Sequence, residues 1–230
     1  MSKSKFDYYH KNILMPNKNR FHLIRLSNPF MSELIFSSAD TILRFTHLGT
    51  LIFDHMEMKD FIKLTNHLAH LPELHSLTIS LADGLHSLNN ILRKRIPEPY
   101  RTPLKYIIRL LCFTSNLHIL HFDTFGFHNN SLDLARQNYA FEYVCKRNQI
   151  KSLILHGQCS LHELEFMVNL FSQLKCFETG MNRTEIKQII RVLLSKTNYK
   201  TQNLFYSCIT NTPKVCVKEI NIMMQTENVF

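Results

Sequence analysis

One apolar pattern recurs along this chain of 230 residues and constrains its fold more than any other feature. Each copy carries apolar side chains at its first, fourth and sixth positions, although the last copy keeps only the first two. The copies begin at Phe21, Leu48, Leu74, Leu117, Ile150 and Leu174. Successive side chains of a β-strand point to opposite faces, so the fourth and sixth positions point together into a core. The pattern therefore predicts six short strands of one kind.

The spacing of the copies indicates a repeat architecture. Successive copies begin 27, 26, 43, 33 and 24 residues apart. Three of these steps match the period of about 20–29 residues that is typical of leucine-rich repeats, in which a strand is followed by a helical return. The two long steps require insertions, which we expect near residues 81–116 and 123–149. The predicted fold class is α/β, a leucine-rich-repeat solenoid. It would form a short curved horseshoe with parallel strands on its concave face and helices on its convex face.

The same register predicts the core and the helices. The core positions are Ile24, Leu26, Leu51, Phe53, Leu77, Ile79, Leu120, Phe122, Leu153 and Leu155. Apolar residues at helical spacing predict helices between the strands, one of them opened by the capping-box spacing of Ser160 and Glu163. The predicted helices are "EMKDFIKLTNHLAHL", "LHSLNNILRKR", "PLKYIIRLLCF", "LDLARQNYAFEYVCKR", "SLHELEFMVNLF" and "TEIKQIIRVLLSK". A closing strand is predicted in "KVCVKEINIMM".

Composition narrows the class of protein and its partners. A net charge of +9 and a pI near 9.3 are compatible with nucleic acid, acidic protein or anionic lipid as a partner, and the charge alone does not discriminate among them. The longest apolar stretches are far shorter than the about 20 residues that a membrane span needs, so no membrane partner is expected. The amino terminus lacks an apolar signal core, and the six cysteines include no C-x-x-C pair. We therefore predict reduced thiols and a cytoplasmic or nuclear location.

Motifs of catalysis and of metal binding are missing from the sequence. It contains no G-x-S-x-G, no H-E-x-x-H and no phosphate-binding glycine loop. His67 and His70 share a helical face, but no carboxylate or cysteine at ligand spacing completes a metal site. Cys159 precedes a helix, which lowers a thiol pKa in some proteins, although an ordinary thiol near a cap is the favoured interpretation. The prediction is a protein that is not an enzyme, without catalytic residues, cofactor or metal.

Three stretches carry a resemblance to a known family. They are "FDYYHKNILMPNKNRFHLIRLSNPF", "LGTLIFDHMEMKDFIKLTNHLAHLPELHSLTI" and "IKSLILHGQCSLHELEFMVNLFSQLKCF". Over residues 5–182 the chain resembles the leucine-rich-repeat portion of F-box proteins. In that family an F-box helical module binds the Skp adaptor of a cullin ubiquitin ligase, and the repeats hold the substrate. No helical segment of about 45 residues precedes Phe21, so the F-box itself is absent here and the Skp-type adaptor is expected to bind only if an F-box lies upstream.

The predicted organisation has three parts. Residues 1–19 form an amino-terminal extension or residual linker, residues 20–225 an irregular leucine-rich-repeat domain, and residues 226–230 a frayed tail. The predicted function is a non-catalytic protein-interaction scaffold, which the resemblance extends to substrate recognition for a ubiquitin ligase. The alternative is a basic nucleic-acid-associated protein. A basic run from Arg93 to Arg109 supports that alternative, but a solvated helix face is the favoured interpretation of the run.

An unknown protein ligand is expected on the concave face. The strand positions that flank the core residues point away from the helices, and they include small hydroxyls, isoleucines, histidines and aspartates. Exposed isoleucines on such a surface favour a ligand that covers them, and the alternative is that Ile119 and Ile154 simply favour strand formation. The predicted partner-binding residues are Arg25, Ser27, Thr50, Ile52, Asp54, Ser76, Thr78, Ser80, Ile119, His121, Asp123, Ser152, Ile154 and His156.

Overall fold

A computed structural model gives the architecture of most of the chain. It describes residues 3–27, 44–68, 70–81, 103–122, 139–181, 184–194, 203–204, 206–210, 217–218 and 220–222.

The described strands form one sheet in which every neighbouring pair is parallel. Its seven strands are ordered as they occur in the sequence, from β1 to β7. Their bounds are β1 Leu23–Leu26, β2 Thr50–Met56, β3 Ser76–Leu81, β4 Ile119–Phe122, β5 Ser152–Cys159, β6 Cys176–Met181 and β7 Tyr206–Thr210. The predicted α/β class with parallel strands is confirmed.

The register of the sheet matches the alignment of the sequence copies. Each residue that stands two positions after the start of a copy pairs with its equivalent on the next strand. These residues are Leu23, Thr50, Ser76, Ile119, Ser152 and Cys176, and Tyr206 of β7 continues the series. The five steps read from the sequence are therefore the steps between paired strands, and β7 adds a seventh strand that the sequence did not predict.

Five of the described helices connect successive strands from β2 to β7, and a sixth precedes β1. They are α1 Lys3–Tyr9, α2 Met58–Leu68, α3 Pro103–Phe113, α4 Tyr139–Arg147, α5 Leu161–Leu170 and α6 Ile186–Leu194. A π-helical turn, His10–Leu14, and a 3-10 turn, Lys18–Arg20, follow α1. Parallel strands joined in sequence order by right-handed crossovers place their helices on one face of the sheet. Accordingly α2 packs against α3, α3 against α4, α4 against α5 and α5 against α6.

The core lies between the helices and one face of the sheet. All the predicted core residues are buried except Ile24, which is half-buried because β1 stands at the edge of the sheet. The same turn precedes four of the strands, since Leu48, Leu74, Leu117 and Leu174 each donate their backbone N–H to the carbonyl three residues before. These four leucines are also buried. The repeated turn shows that successive strands are entered in the same way.

Helix α5 confirms its predicted start and buries more surface than its apolar stripe suggested. The Ser160 Oγ accepts from the Glu163 N–H, while the Glu163 carboxylate accepts from the Ser160 N–H at 2.7 Å, which completes the capping box. Beyond the expected stripe, Phe166 and Leu170 are also buried. They are covered because α5 has a helix neighbour on each side, α4 and α6.

The carboxyl-terminal part corrects one prediction. The closing strand predicted in "KVCVKEINIMM" is wrong, because the described residues of that stretch, 217–218 and 220–222, are helical. Val217 and Ile220 are three residues apart, which fits a helix, whereas Ile220 and Ile222 are two apart, which fits a strand, so the stretch carries both spacings. The helix predicted in "LHSLNNILRKR", the residues 123–138 of the second insertion and the tail 226–230 lie outside the described residues. Within the described residues, no helix is both long and apolar enough to cross a membrane.

Candidate functional site: the open face of the sheet

The face of the sheet opposite the core, here called the open face, consists of the strand residues that alternate with buried ones. In β2 and β5 the burial alternates strictly over the first four residues, and the alternating side chains are half-buried. Asp123 lies outside the described residues. The other predicted partner-binding residues all occupy this face: Arg25, Ser27, Thr50, Ile52, Asp54, Ser76, Thr78, Ser80, Ile119, His121, Ser152, Ile154 and His156. Their role in binding stays a prediction.

Exposed apolar side chains occupy one cross-strand row of this face, the first row. It runs through Leu23, Thr50, Ser76, Ile119, Ser152, Cys176 and Tyr206. Leu23, Ile119 and Tyr206 are 53%, 38% and 55% exposed. They stand three strands apart, which corresponds to about 14 Å between neighbours at the usual strand spacing. The row therefore presents three apolar contacts at regular intervals over about 29 Å.

A second row, the basic row, lies directly before the first row at the amino-terminal ends of the strands. Its members are linked by backbone hydrogen bonds of 2.8–3.0 Å from each residue to the one before it in the row. They are His22, Gly49, His75, His118, Lys151 and Lys175. All the side chains are exposed except that of His118, which is half-buried and bonded to Gln149. Two lysines and three histidines therefore stand directly before the first row.

An ion pair fixes one end of the open face. The Arg25 Nε donates to the Asp54 Oδ2 at 2.7 Å, and the Ser27 hydroxyl donates to the same oxygen at 2.8 Å. The hydrogen bond from Arg25 lowers the pKa of Asp54 and outweighs burial, which acts in the opposite direction. Asp54 and Arg25 are thereby engaged with each other across β1 and β2.

Two histidines meet near the centre of the face. The Nε2 atoms of His121 and His156 are 2.8 Å apart, and their ring centroids are 4.7 Å apart. His121 pairs in register with Ile154, so His156 is its diagonal neighbour on β5. Sequence reasoning considered histidines only along one strand or helix and missed this contact. The aligned copies contain the signal, because diagonal neighbours on adjacent strands lie within reach of each other.

Strands β6 and β7 extend the open face beyond the predicted residues. Cys176 and Glu178 on β6 pair with Tyr206 and Cys208 on β7. The pKa of Tyr206 is raised, first by its hydrogen bond with Cys208 and then by the nearby thiol and carboxylate groups. Its phenol therefore stays neutral and contributes an amphipathic surface, not a nucleophile. These residues were missed because β7 lacks the leucines by which the other strands were found.

Cysteines and the side chains that can bind metals are the candidate reactive groups among the described residues. Cys159 is buried, and its thiol pKa is raised by burial first and then by Glu163 and Glu185, so the lowered pKa considered from the sequence is wrong. The described cysteines form no disulfide. Across the described part of the chain, no three histidines, cysteines, aspartates or glutamates gather into a metal site.

Comparisons with known proteins assign no family to this chain, so its function is inferred from the structure. No protein-family model matches this chain. No curated protein matches it either.

Proposed function

We propose that this protein is a non-catalytic interaction scaffold of the leucine-rich-repeat type, with a concave open face that binds a protein ligand. The observation that carries the proposal is the first row, in which one residue per strand presents apolar side chains at even spacing. A ligand that covers Leu23, Ile119 and Tyr206 would remove from water the largest apolar groups of this face. The strict order of the strands and their repeated entry turn support the repeat architecture.

The chemistry of the two rows favours an acidic polypeptide as the ligand. Lys151 and Lys175 are exposed beside the first row and attract carboxylates, while Leu23 and Ile119 offer aliphatic contacts that suit protein side chains. Proteins that bind single-stranded nucleic acid generally present several aromatic rings for base stacking, and Tyr206 is the one aromatic residue of the first row. The nucleic-acid alternative is therefore the second candidate, and the basic row is the observation that favours it.

The resemblance to F-box proteins extends this proposal to a cellular role. If an F-box lies upstream, the open face would hold the substrate while the F-box binds a Skp-type adaptor. The chain would then be the substrate-recognition part of a ubiquitin ligase receptor, in the cytoplasm or the nucleus.

The test compares two triple variants that remove the same kind of residue from different places. The first variant removes the exposed apolar side chains of the first row through Leu23→Ser, Ile119→Ser and Tyr206→Ser. The control variant removes exposed large side chains from helices through Tyr8→Ser, Phe113→Ser and Tyr143→Ser. Partners cross-linked in cells are quantified by mass spectrometry for the wild type and both variants.

We expect the first-row variant to lose specific protein partners by about 30-fold, because buried apolar anchors of an interface contribute about 2 kcal/mol or more. The control variant should retain them. Equal recovery of protein partners by both variants would show that the open face is not the binding site. Recovery that disappears on nuclease treatment and falls steeply with salt would favour the nucleic-acid alternative.

A further inference from the structure

The contact between His121 and His156 has the geometry of a pair of metal ligands. Their Nε2 atoms face each other at 2.8 Å, with the ring planes inclined by 49°. Strands β4 and β5 lie inside the sheet and are paired over four consecutive positions; His121 lies within this pairing, and His156 directly follows its last residue, Leu155. A site whose ligands are already in place loses little conformational entropy when it binds.

The separation of the two nitrogens discriminates between coordination geometries. Metal–imidazole bonds are about 2.0–2.1 Å long. Two such bonds at a right angle place the nitrogens about 2.9 Å apart, whereas a tetrahedral angle places them about 3.3 Å apart. The observed 2.8 Å therefore fits adjacent positions of a square-planar or octahedral ion. Imidazole ligands in such geometries are typical of Cu(II) and Ni(II).

We propose that His121 and His156 form a binding site for a divalent transition metal of tetragonal or octahedral geometry, with water in the remaining positions. The chemistry requires both rings to be neutral and to bind through Nε2, each with its proton on Nδ1. In a hydrogen bond between two neutral rings one Nε2 donates and the other accepts, so metal binding would displace the donor's proton, which would move through solvent to Nδ1 of the same ring.

The side chains around the pair are compatible with a cation. Along the same row, Thr78 precedes His121, and Ile154 and Glu178 follow it. None of these three is cationic, and the Glu178 carboxylate favours a positive ion. A bound metal would also place open coordination positions on the face that we propose for ligand binding, although the metal proposal does not depend on that function.

The test is a calorimetric titration of the full chain with NiCl2 after treatment with EDTA. Ni(II) is chosen because it does not oxidise the thiols of the chain, as Cu(II) does. We expect one Ni(II) per chain at this site and weaker binding of Zn(II), in keeping with the general order of affinities. His121→Gln and His156→Gln should each weaken Ni(II) binding by about tenfold or more, since even loss of an outer-shell partner costs about 10–100-fold.

A matched control removes two other histidines. His67→Gln with His70→Gln eliminates the histidine pair at the carboxyl-terminal end of α2 and should leave Ni(II) binding unchanged. In an NMR spectrum of the imidazole nitrogens, Ni(II) should first broaden the signals of His121 and His156. If the wild type binds no Ni(II), or if the control loses as much affinity as the His121 and His156 variants, the site does not exist. Melting temperatures of the variants establish that each remains folded.

Discussion

His55 holds a backbone conformation that its side chain disfavours. Its φ angle is 57°, in the left-handed region, and it lies in the bulge where the pairing of β2 with β3 shifts between Phe53 and Met56. A bulge turns the strand and increases its twist, so this residue helps to set the direction in which the chain leaves the sheet for α2. Because His55 is exposed, no packing opposes its replacement.

We predict opposite effects of two substitutions at His55. His55→Val should lower the free energy of unfolding by about 1–2 kcal/mol, because a β-branched side chain is strained at positive φ. His55→Gly should be neutral or slightly stabilising, since glycine adopts this conformation without strain. Urea unfolding measures the free energy of unfolding of both variants. The control is His75→Val, because His75 is exposed and has no positive φ. A valine variant as stable as the wild type would contradict the left-handed conformation.

Asp54 is expected to make stability depend on pH in the acidic range. Its folded-state pKa is lowered, chiefly by the Arg25 hydrogen bond, so the unfolded chain takes up the proton first as the pH falls. The stabilisation is present above the ordinary aspartate pKa of about 3.9 and is lost as the pH falls through the lower folded value. Its size is small because Arg25 is 62% exposed.

The measurement is the melting temperature of the wild type and of Asp54→Asn from neutral pH down to pH 2.5. The difference should be constant at neutral pH and vanish in acid. A difference that grows as the pH falls would contradict the assigned shift. At this scale the sequence predicted that Arg25, Ser27 and Asp54 share one face, but the bond between them depends on a register that only the paired strands fix.

The strands depend on the residues that point into the core. Leu120 of β4 is completely buried, whereas its neighbour Ile119 is on the open face. Leu120→Ala should lower the free energy of unfolding by about 2–5 kcal/mol, through lost burial and the cavity left behind. Ile119→Ala is the matched control and should cost far less. Chemical unfolding of both variants tests the register, and equal losses would show that the alternation of β4 is misassigned.

The close approach of β5 and β6 depends on Gly180. A Cβ atom at this position would lie 3.0 Å from the Gly157 carbonyl oxygen, where the pairing of the two strands shifts. Gly180→Ala should therefore lower the melting temperature, by an amount that corresponds to about 1–3 kcal/mol for an overpacked site. Gly49→Ala is the control, because there the nearest atoms belong to the exposed ring of His75, which can rotate away. A larger loss at Gly49 would contradict this reasoning.

The sequence predicted six of the seven strands because their core positions are leucine, isoleucine and phenylalanine. Strand β7 escaped because its equivalent positions are Ser207 and Ile209, and Ser207 is exposed at the edge of the sheet. Periodicity also predicted the wrong element around Val217, because apolar spacings of a helix and of a strand both occur there and the strand was chosen. The basic row was overlooked for a different reason, since it is visible only when the copies are stacked and the residue after each first apolar position is compared.

At the scale of the whole molecule, the sheet has two ends, and each described strand pairs with its neighbours in sequence order. The edge strands therefore have one pairing partner among the described strands, while β3, β4 and β5 have two. We predict that amide hydrogen exchange is slowest in β3–β5 and fastest in β1 and β7, because local opening costs least where fewest contacts are lost. Exchange measured by mass spectrometry tests this, and uniform protection across all seven strands would contradict it.

The first row takes one residue from each strand. Its length would therefore determine which ligands the proposed binding face accommodates. Leu23 and Tyr206 are separated by a whole number of strands, so the distance between them can change only in steps of about 4.8 Å. A shorter or longer version of this protein would differ by complete strand–helix units, and each unit would displace Tyr206 by one such step without altering the remaining contacts. Under the proposed function, the span of apolar contacts offered to a ligand would therefore be set in steps of one strand.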